Sequence, residues 1–414
     1  MSDLLIFTES FSARHEYVFR TIFRDRLGLT FDHSSDPEVF GRSTGNKISY
    51  STRSHGAKLQ IIPSGILDAT GHAPLNPSEG KWDEEWTLFA SEGQKVPFDL
   101  PGAVFYLLSR YEEYDGSERD EHDRFKATNS ILFKAKQLDK PVVDRWIAKL
   151  GEVLKACFPS LNITVPAFSS TATVDIDNAW AYRNKGFVRN VGGFWRDLFK
   201  GRMSDVGTRL QTWFGGKDPY DTYEYIRSAC QNNGVDLRFF FLLADRGPND
   251  KNPSPDNARY RRLIKDLSKT HGVGIHPGYR SYCDPYVTEM EMDRLRKIIG
   301  QEVNHSRQHF LRVEVPETYR ILRDAGIQHD HSMGYAEVPG FRAGTSMPFS
   351  FYDISSESDT MVVVHPFAYM DGTLCEYMEL DPESARKKVD DLLKEVKAVN
   401  GHFEFIWHNE TLND

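Results

Sequence analysis

From residue 166 to the C-terminus, short β-type runs alternate with amphipathic helical stretches, which restricts this part of the chain to a parallel sheet with covering helices, open or closed into a barrel. The runs at 171–177, 237–244, 273–275, 361–364 and 403–407 read as strands. Helices are predicted at 257–269, 287–303, 316–325 and 382–399, and Pro316 and Gly326 bracket one of them. The residues that close the strands are acids and imidazoles: Asp175 and Asp177, then Asp245, His276, His365 and His408. In parallel α/β folds the carboxyl ends of the strands converge on one face, so these groups are expected to meet there in a metal or acid/base site.

The run Thr171-Ala-Thr-Val-Asp175-Ile-Asp177-Asn178 shows the local logic. Side chains alternate along a strand, so Thr171, Thr173, Asp175 and Asp177 share one face and Ala172, Val174 and Ile176 the other. Carboxylates at i and i+2 are about 7 Å apart, a spacing that suits a metal ligand beside a general base. Asp177 or Asn178 capping a following helix is the other reading of the same residues.

A chain of 414 residues is expected to form two domains. Residues 1–165 read as a smaller mixed α/β domain, with strands at 4–7 and 58–62, helices at 10–26, 100–114 and 142–158, and a polar loop at His122, Arg124 and Phe125 that forms either a binding corner or a solvated surface. Pro159 and Pro166 bracket the linker to residues 166–414. The net charge of −9 and pI near 5.9 exclude a general nucleic-acid binder, which needs a positive surface. Cys157, Cys230, Cys283 and Cys375 stand singly, as reduced thiols do. With no apolar run of membrane-spanning length and no signal-peptide pattern at the start, a cytoplasmic location is expected.

Thr173-Val-Asp-Ile-Asp-Asn178, Gly274-Ile-His-Pro-Gly278, Gly340-Phe-Arg-Ala-Gly344 and Trp407-His-Asn409 resemble the polysaccharide deacetylase family (carbohydrate esterase family 4, the NodB-homology domain), in a bacterial branch with an extra N-terminal domain. The resemblance covers about 166–414. It implies a distorted (β/α) barrel and a metal-dependent hydrolase that removes acetyl groups from N- or O-acetylated sugars. By the same resemblance Asp175 is the general base, Asp177 and His276 are metal ligands, and His408 is the general acid. The implied cofactor is a divalent metal, zinc first, with nickel, cobalt or manganese as alternatives. The chemistry agrees, because deacetylation needs an activated water, a charge for the oxyanion and a proton for the leaving group.

The chain departs from the family pattern in three places. Where the family has H-x-x-x-H, His276-Pro-Gly-Tyr-Arg280 carries Arg, which cannot ligate a cation. Ile176 separates two acids that are usually adjacent. Arg307-Gln-His309 stands where the family has Arg-x-Pro, and we expect His309 to supply the missing ligand and Arg307 to orient Asp175, with His305, His329, His331 and His365 as other candidates for the ligand. Trp180, Tyr182, Tyr279, Arg280 and Trp407 adjoin these positions and are candidates for sugar binding.

Two other functions fit parts of the pattern. A catalytically silent carbohydrate-binding protein follows if Arg280 has displaced the metal, and a magnesium-dependent phosphoryl-transfer enzyme follows from D-x-D alone, although Asn178-Ala-Trp180 lacks the Gly-Thr pair of haloacid-dehalogenase-like phosphatases. The expected partner is an acetylated sugar or glycan, nucleotide-linked or lipid-linked. Residues 185–217 interleave Lys and Arg with aromatics and form either a lid or a contact with an anionic membrane surface.

Overall fold

The computed structural model describes residues 2–183 and 203–412. The N-terminal part contains β1 (Leu4–Thr8), β2 (Phe31–Ser34), β3 (Lys47–Tyr50) and β4 (Leu59–Ile61), a parallel sheet in the order β2-β1-β3-β4. A hairpin of β5 (Glu79–Trp82) and β6 (Glu85–Leu88) follows. The helix expected from residue 10 runs Ala13–Phe19, capped by Ser12, and continues as a π-helical stretch, Arg20–Arg26. The helix expected over 100–114 ends at Leu108, and the left-handed Arg110 (φ 53°) turns the chain into a separate short helix, Tyr111–Tyr114.

The second sheet has nine strands: β7 (Ser169–Ile176), β8 (Asp236–Leu242), β9 (Gly272–His276), β10 (His305–Ser306), β11 (His329–Met333), β12 (Phe349–Asp353), β13 (Ser358–Pro366), β14 (Tyr369–Met370) and β15 (His402–His408). Their order is β12-β13-β11-β10-β9-β8-β7-β15-β14, parallel except for the β12/β13 pair. Five steps separate β11 from β15, roughly 24 Å in a flat sheet at ~4.8 Å per strand. Yet His331 Nδ1 on β11 lies 3.0 Å from Glu404 Oε1 on β15. The sheet therefore curls through most of a barrel. It keeps two edges, β12 and β14, and so forms a half-barrel rather than the closed barrel that the sequence allows.

Register determines what the curled sheet encloses. His402, Glu404, Ile406 and His408 pair with Ser169, Thr171, Thr173 and Asp175, and the last two pair in turn with Arg238 and Phe240. One inner face thus carries most of the polar groups. Gly272 and Gly274 on β9 make room for them: a Cβ at Gly272 would meet the Arg238 guanidinium at 2.8 Å, and one at Gly274 the Phe240 ring at 2.5 Å. The covering helices carry ordinary end signals. Pro285–Ile299, for example, starts where Asp284 accepts the N–H groups of Tyr286 and Val287 and stops at the left-handed Gly300.

The two sheets share a core, and one buried apolar cluster runs from Leu4 and Ile6 through Trp146 to Val364. Ion pairs to Arg342 and Glu357 cross the same boundary. Glu113 sits between Arg110 (2.7 Å) and Arg342 (2.5 Å), and Arg14 pairs with Glu357. Arg342 belongs to the Gly340–Gly344 motif, which accounts for that motif as a docking point for the N-terminal part. Among the described residues no helix is long and apolar enough to cross a membrane.

Candidate active site

At the carboxyl ends of the strands a cavity of about 240 Å³ is lined by Asp175, Asp177, His276, His309, His408 and Arg124, with Phe310, Met370 and Tyr377 among its apolar and aromatic walls. Asp175 ends the inner face of β7, and Asp177 follows one residue past the strand. His276 closes β9, and His408, the register partner of Asp175, closes β15. His309 opens a short 3₁₀ turn just beyond β10. Five of the six chemical residues thus come from the strand ends or the turns after them. The sixth, Arg124, reaches in from the polar loop of the N-terminal part and donates to the Phe310 carbonyl at 3.1 Å.

Three of these groups converge on one point. His276 Nε2 lies 3.3 Å from Asp177 Oδ1, and His309 Nε2 lies 3.5 Å from Asp177 Oδ2. Two ligands held ~2.0–2.1 Å from a tetrahedral cation are roughly 3.3 Å apart, so the triangle has the dimensions of a metal site. The Nδ1 atoms are engaged elsewhere: that of His276 by the Arg307 carbonyl, that of His309 by Asp250 Oδ1 at 2.8 Å. This second layer leaves both Nε2 atoms turned toward Asp177. Asp175 Oδ1 is buried without a hydrogen-bond partner, a costly arrangement unless a ligand completes it. A divalent cation fits this donor set.

The electrostatics are strongly coupled. Burial pushes the Asp177 carboxyl up, but the His309 and His276 imidazoles outweigh it and hold it well below the usual carboxylate range. Burial also works against a charged His408, yet Asp371, with Asp177 and Asp175 beyond it, holds the imidazolium well above the usual histidine range. Arg307 is fully buried between the rings of Phe240 and Phe367; it donates to Thr173 and Glu404 at 2.9 Å and brings Nη1 to 4.0 Å from Asp175.

Other positions singled out in the sequence are placed elsewhere. Trp180 is buried against Tyr260, and Trp407 projects from the outer face of β15 toward Tyr369. Tyr182 lies under the Arg209 guanidinium. Tyr279 packs behind Phe310 and beneath Arg312, and Arg280 lines a different, outward cleft. None of these five lines the cavity. Asp245 is largely exposed and paired with Arg294, while His305, His329, His331 and His365 gather at the opposite mouth of the half-barrel. Of the basic aromatic segment, residues 185–202 lie outside the described residues; beyond them Arg209 is buried and Trp213 and Phe214 are exposed. Sequence reasoning missed Asp250, on a loop next to His309, and Asp371, on the helical turn after β14 next to His408, and it left open the role of Arg124.

Residues 4–159 match a family of unknown function (DUF7033). No curated protein matches the chain. The solved structure described as "Crystal structure of putative polysaccharide deacetylase from Mycobacterium smegmatis" is similar at 13% identity and a TM-score of 0.39, over 59% of this chain and 78% of that one. At that level of likeness the function has to be argued from the residues of this chain.

Proposed function

We propose that the protein is a metal-dependent hydrolase that removes acetyl groups from an N- or O-acetylated sugar or glycan. The observation that carries this reading is the Asp177–His276–His309 triangle, with its two Nε2 atoms directed at one carboxylate and with Asp175 and His408 beside it. A divalent cation held there, zinc by the donor set, supplies positive charge for a developing oxyanion and acidifies a water.

The remaining chemistry belongs to the side chains. Asp175, with a free Oδ1, takes the proton of the attacking water, and Arg307 faces it with positive charge from 4.0 Å. His408, protonated under the influence of Asp371, gives a proton to the leaving sugar nitrogen or oxygen. A cavity of about 240 Å³ suits an acetyl group and part of one sugar ring, and Arg124, Phe310 and Tyr377 stand at its walls to hold that ring. Against the silent-binder reading, Arg280 lines a different cleft, and His309 offers the third ligand that this proposal needs. The substrate class, including a nucleotide- or lipid-linked glycan, is tested by measuring acetate release from a panel of acetylated sugars, with the chain stripped by chelator and reloaded with zinc, nickel, cobalt or manganese. Absence of metal-dependent release across the panel would count against the reading.

A further inference from the structure

The opposite, amino-terminal mouth of the half-barrel opens into a cavity of about 700 Å³, larger than the one at the carboxyl ends. Its wall carries His305 from β10, His331 from β11, His365 from β13, and His402 and Glu404 from β15, with His329 beside His305 in register. His331, His365 and Glu404 each offer a donor atom within 4.8 Å of the others. Nothing in the chemistry proposed for the carboxyl-end site uses them.

We propose that His331, His365 and Glu404 form a second divalent transition-metal site, separate from the one at Asp177. The contacts have the right form. His305 Nδ1 faces His331 Nε2 at 3.0 Å, and His329 Nδ1 faces His365 Nε2 at 3.0 Å, while the His331 and His365 rings stack at 4.3 Å. His305 and His329 thus hold the Nε2 atoms of His331 and His365 from outside the ligand set, as a second layer of partners does around a metal site, and leave the Nδ1 atoms as the ligating nitrogens. Glu404 approaches His331 Nδ1 through both oxygens, at 3.0 and 3.1 Å.

The class of metal follows from the charges. Glu404 is the single carboxylate of the set and is already paired with Arg307 at 2.9 Å. With so little negative charge the site suits imidazole-preferring zinc, nickel or copper rather than calcium or magnesium. Arg238, directed into the same cavity over Gly272, adds positive charge and favours an anionic co-ligand on the cation's open position. The Glu404–Arg307 pair also runs up the barrel axis to within 4.0 Å of Asp175, so the two mouths are electrostatically connected.

The test is metal counting by mass spectrometry on the full-length chain without an affinity tag, after chelator stripping, zinc loading and desalting. Wild type is expected to retain two equivalents, Asp177→Asn one, His365→Ala one, and the double variant none. One equivalent in wild type together with one in Asp177→Asn would keep this site and overturn the reading of the upper one. Two equivalents in His365→Ala, or none in Asp177→Asn, would overturn this proposal. X-ray absorption of zinc-loaded Asp177→Asn needs no change in the lower cluster, so it decides the matter even if His365→Ala does not fold: two imidazole ligands are expected, and a site with none sinks the idea. Binding of inorganic phosphate by Asp177→Asn with no zinc uptake would likewise reassign the cavity to an anion.

Discussion

Asp371 and His408 are 37 residues apart, yet Asp371 accepts both the backbone N–H of His408, at 2.8 Å, and its Nδ1–H, at 2.7 Å. One carboxylate therefore fixes both where the imidazole points and which ring nitrogen faces the cavity. Thr411 adds a further hydrogen bond to the same carboxylate.

Replacing Asp371 by Asn is expected to keep the fold and lower kcat, by up to the ~10²–10⁴-fold that general acid catalysis is worth. The pH profile separates this from a general loss of structure. Asp371 raises the His408 pKa, and an acid catalyst is lost as pH climbs through its pKa. Without the carboxylate that pKa falls, so the alkaline limb of the rate profile should move to lower pH. A uniform drop with the limb in place would make Asp371 structural only.

Asp250 holds His309 from behind at 2.8 Å and also accepts the backbone N–H of Tyr279. Asp250→Ala is expected to weaken zinc binding at the upper site about 10- to 100-fold, the usual effect of removing a carboxylate behind a ligating imidazole. Competition with a chromophoric chelator measures it. Unchanged affinity would remove His309 from the ligand set.

Glu113 is fully buried between Arg110 and Arg342. Burial pushes its carboxyl up, but the two guanidinium groups outweigh that and bring it down to about 2. A carboxyl depressed on folding stabilises the native state above its unfolded value, so this contribution is complete above pH ~4.5 and is lost as pH falls toward 2. Glu113→Gln leaves two buried cations without their partner and should cost about 3–5 kcal/mol in denaturant unfolding at neutral pH. It should also flatten the acid limb of the stability curve. A variant as stable as wild type would mean that the domains do not depend on this pair.

The rule that strand ends converge brought Asp175, Asp177, His276 and His408 to one cavity, because parallel strands share a direction. It misplaced His365 and Asp245. Val363 pairs with His329, so His365, although late in β13, stacks on His331 in the middle of β11. Asp245 lies three residues past β8, where the chain has already turned outward to Arg294. Strand alternation also argues against one aromatic choice, since Trp407 precedes His408 and must face the other way. Asp250 and Asp371 could not be read locally, because where a residue between strands ends up depends on the whole path of the chain. The half-barrel's edges were equally hidden, because strand order is not written in any single segment.

Asp175→Asn is the sharpest test of how the upper site divides its work. Asp177 approaches both imidazoles, at 3.3 and 3.5 Å, whereas the nearest nitrogens to Asp175 are His276 Nε2 at 3.9 Å and Arg307 Nη1 at 4.0 Å. The ligand triangle therefore closes without Asp175, and an amide in its place keeps the shape but cannot accept a proton from water. Hydrolysis should fall by at least ~10²-fold while zinc content and melting temperature stay near wild type. Asp177→Asn should instead lose the upper zinc and activity together. If Asp175→Asn sheds the metal, Asp175 is a ligand and the base lies elsewhere; if it turns over at the wild-type rate, Asp175 has no part in the proton transfer.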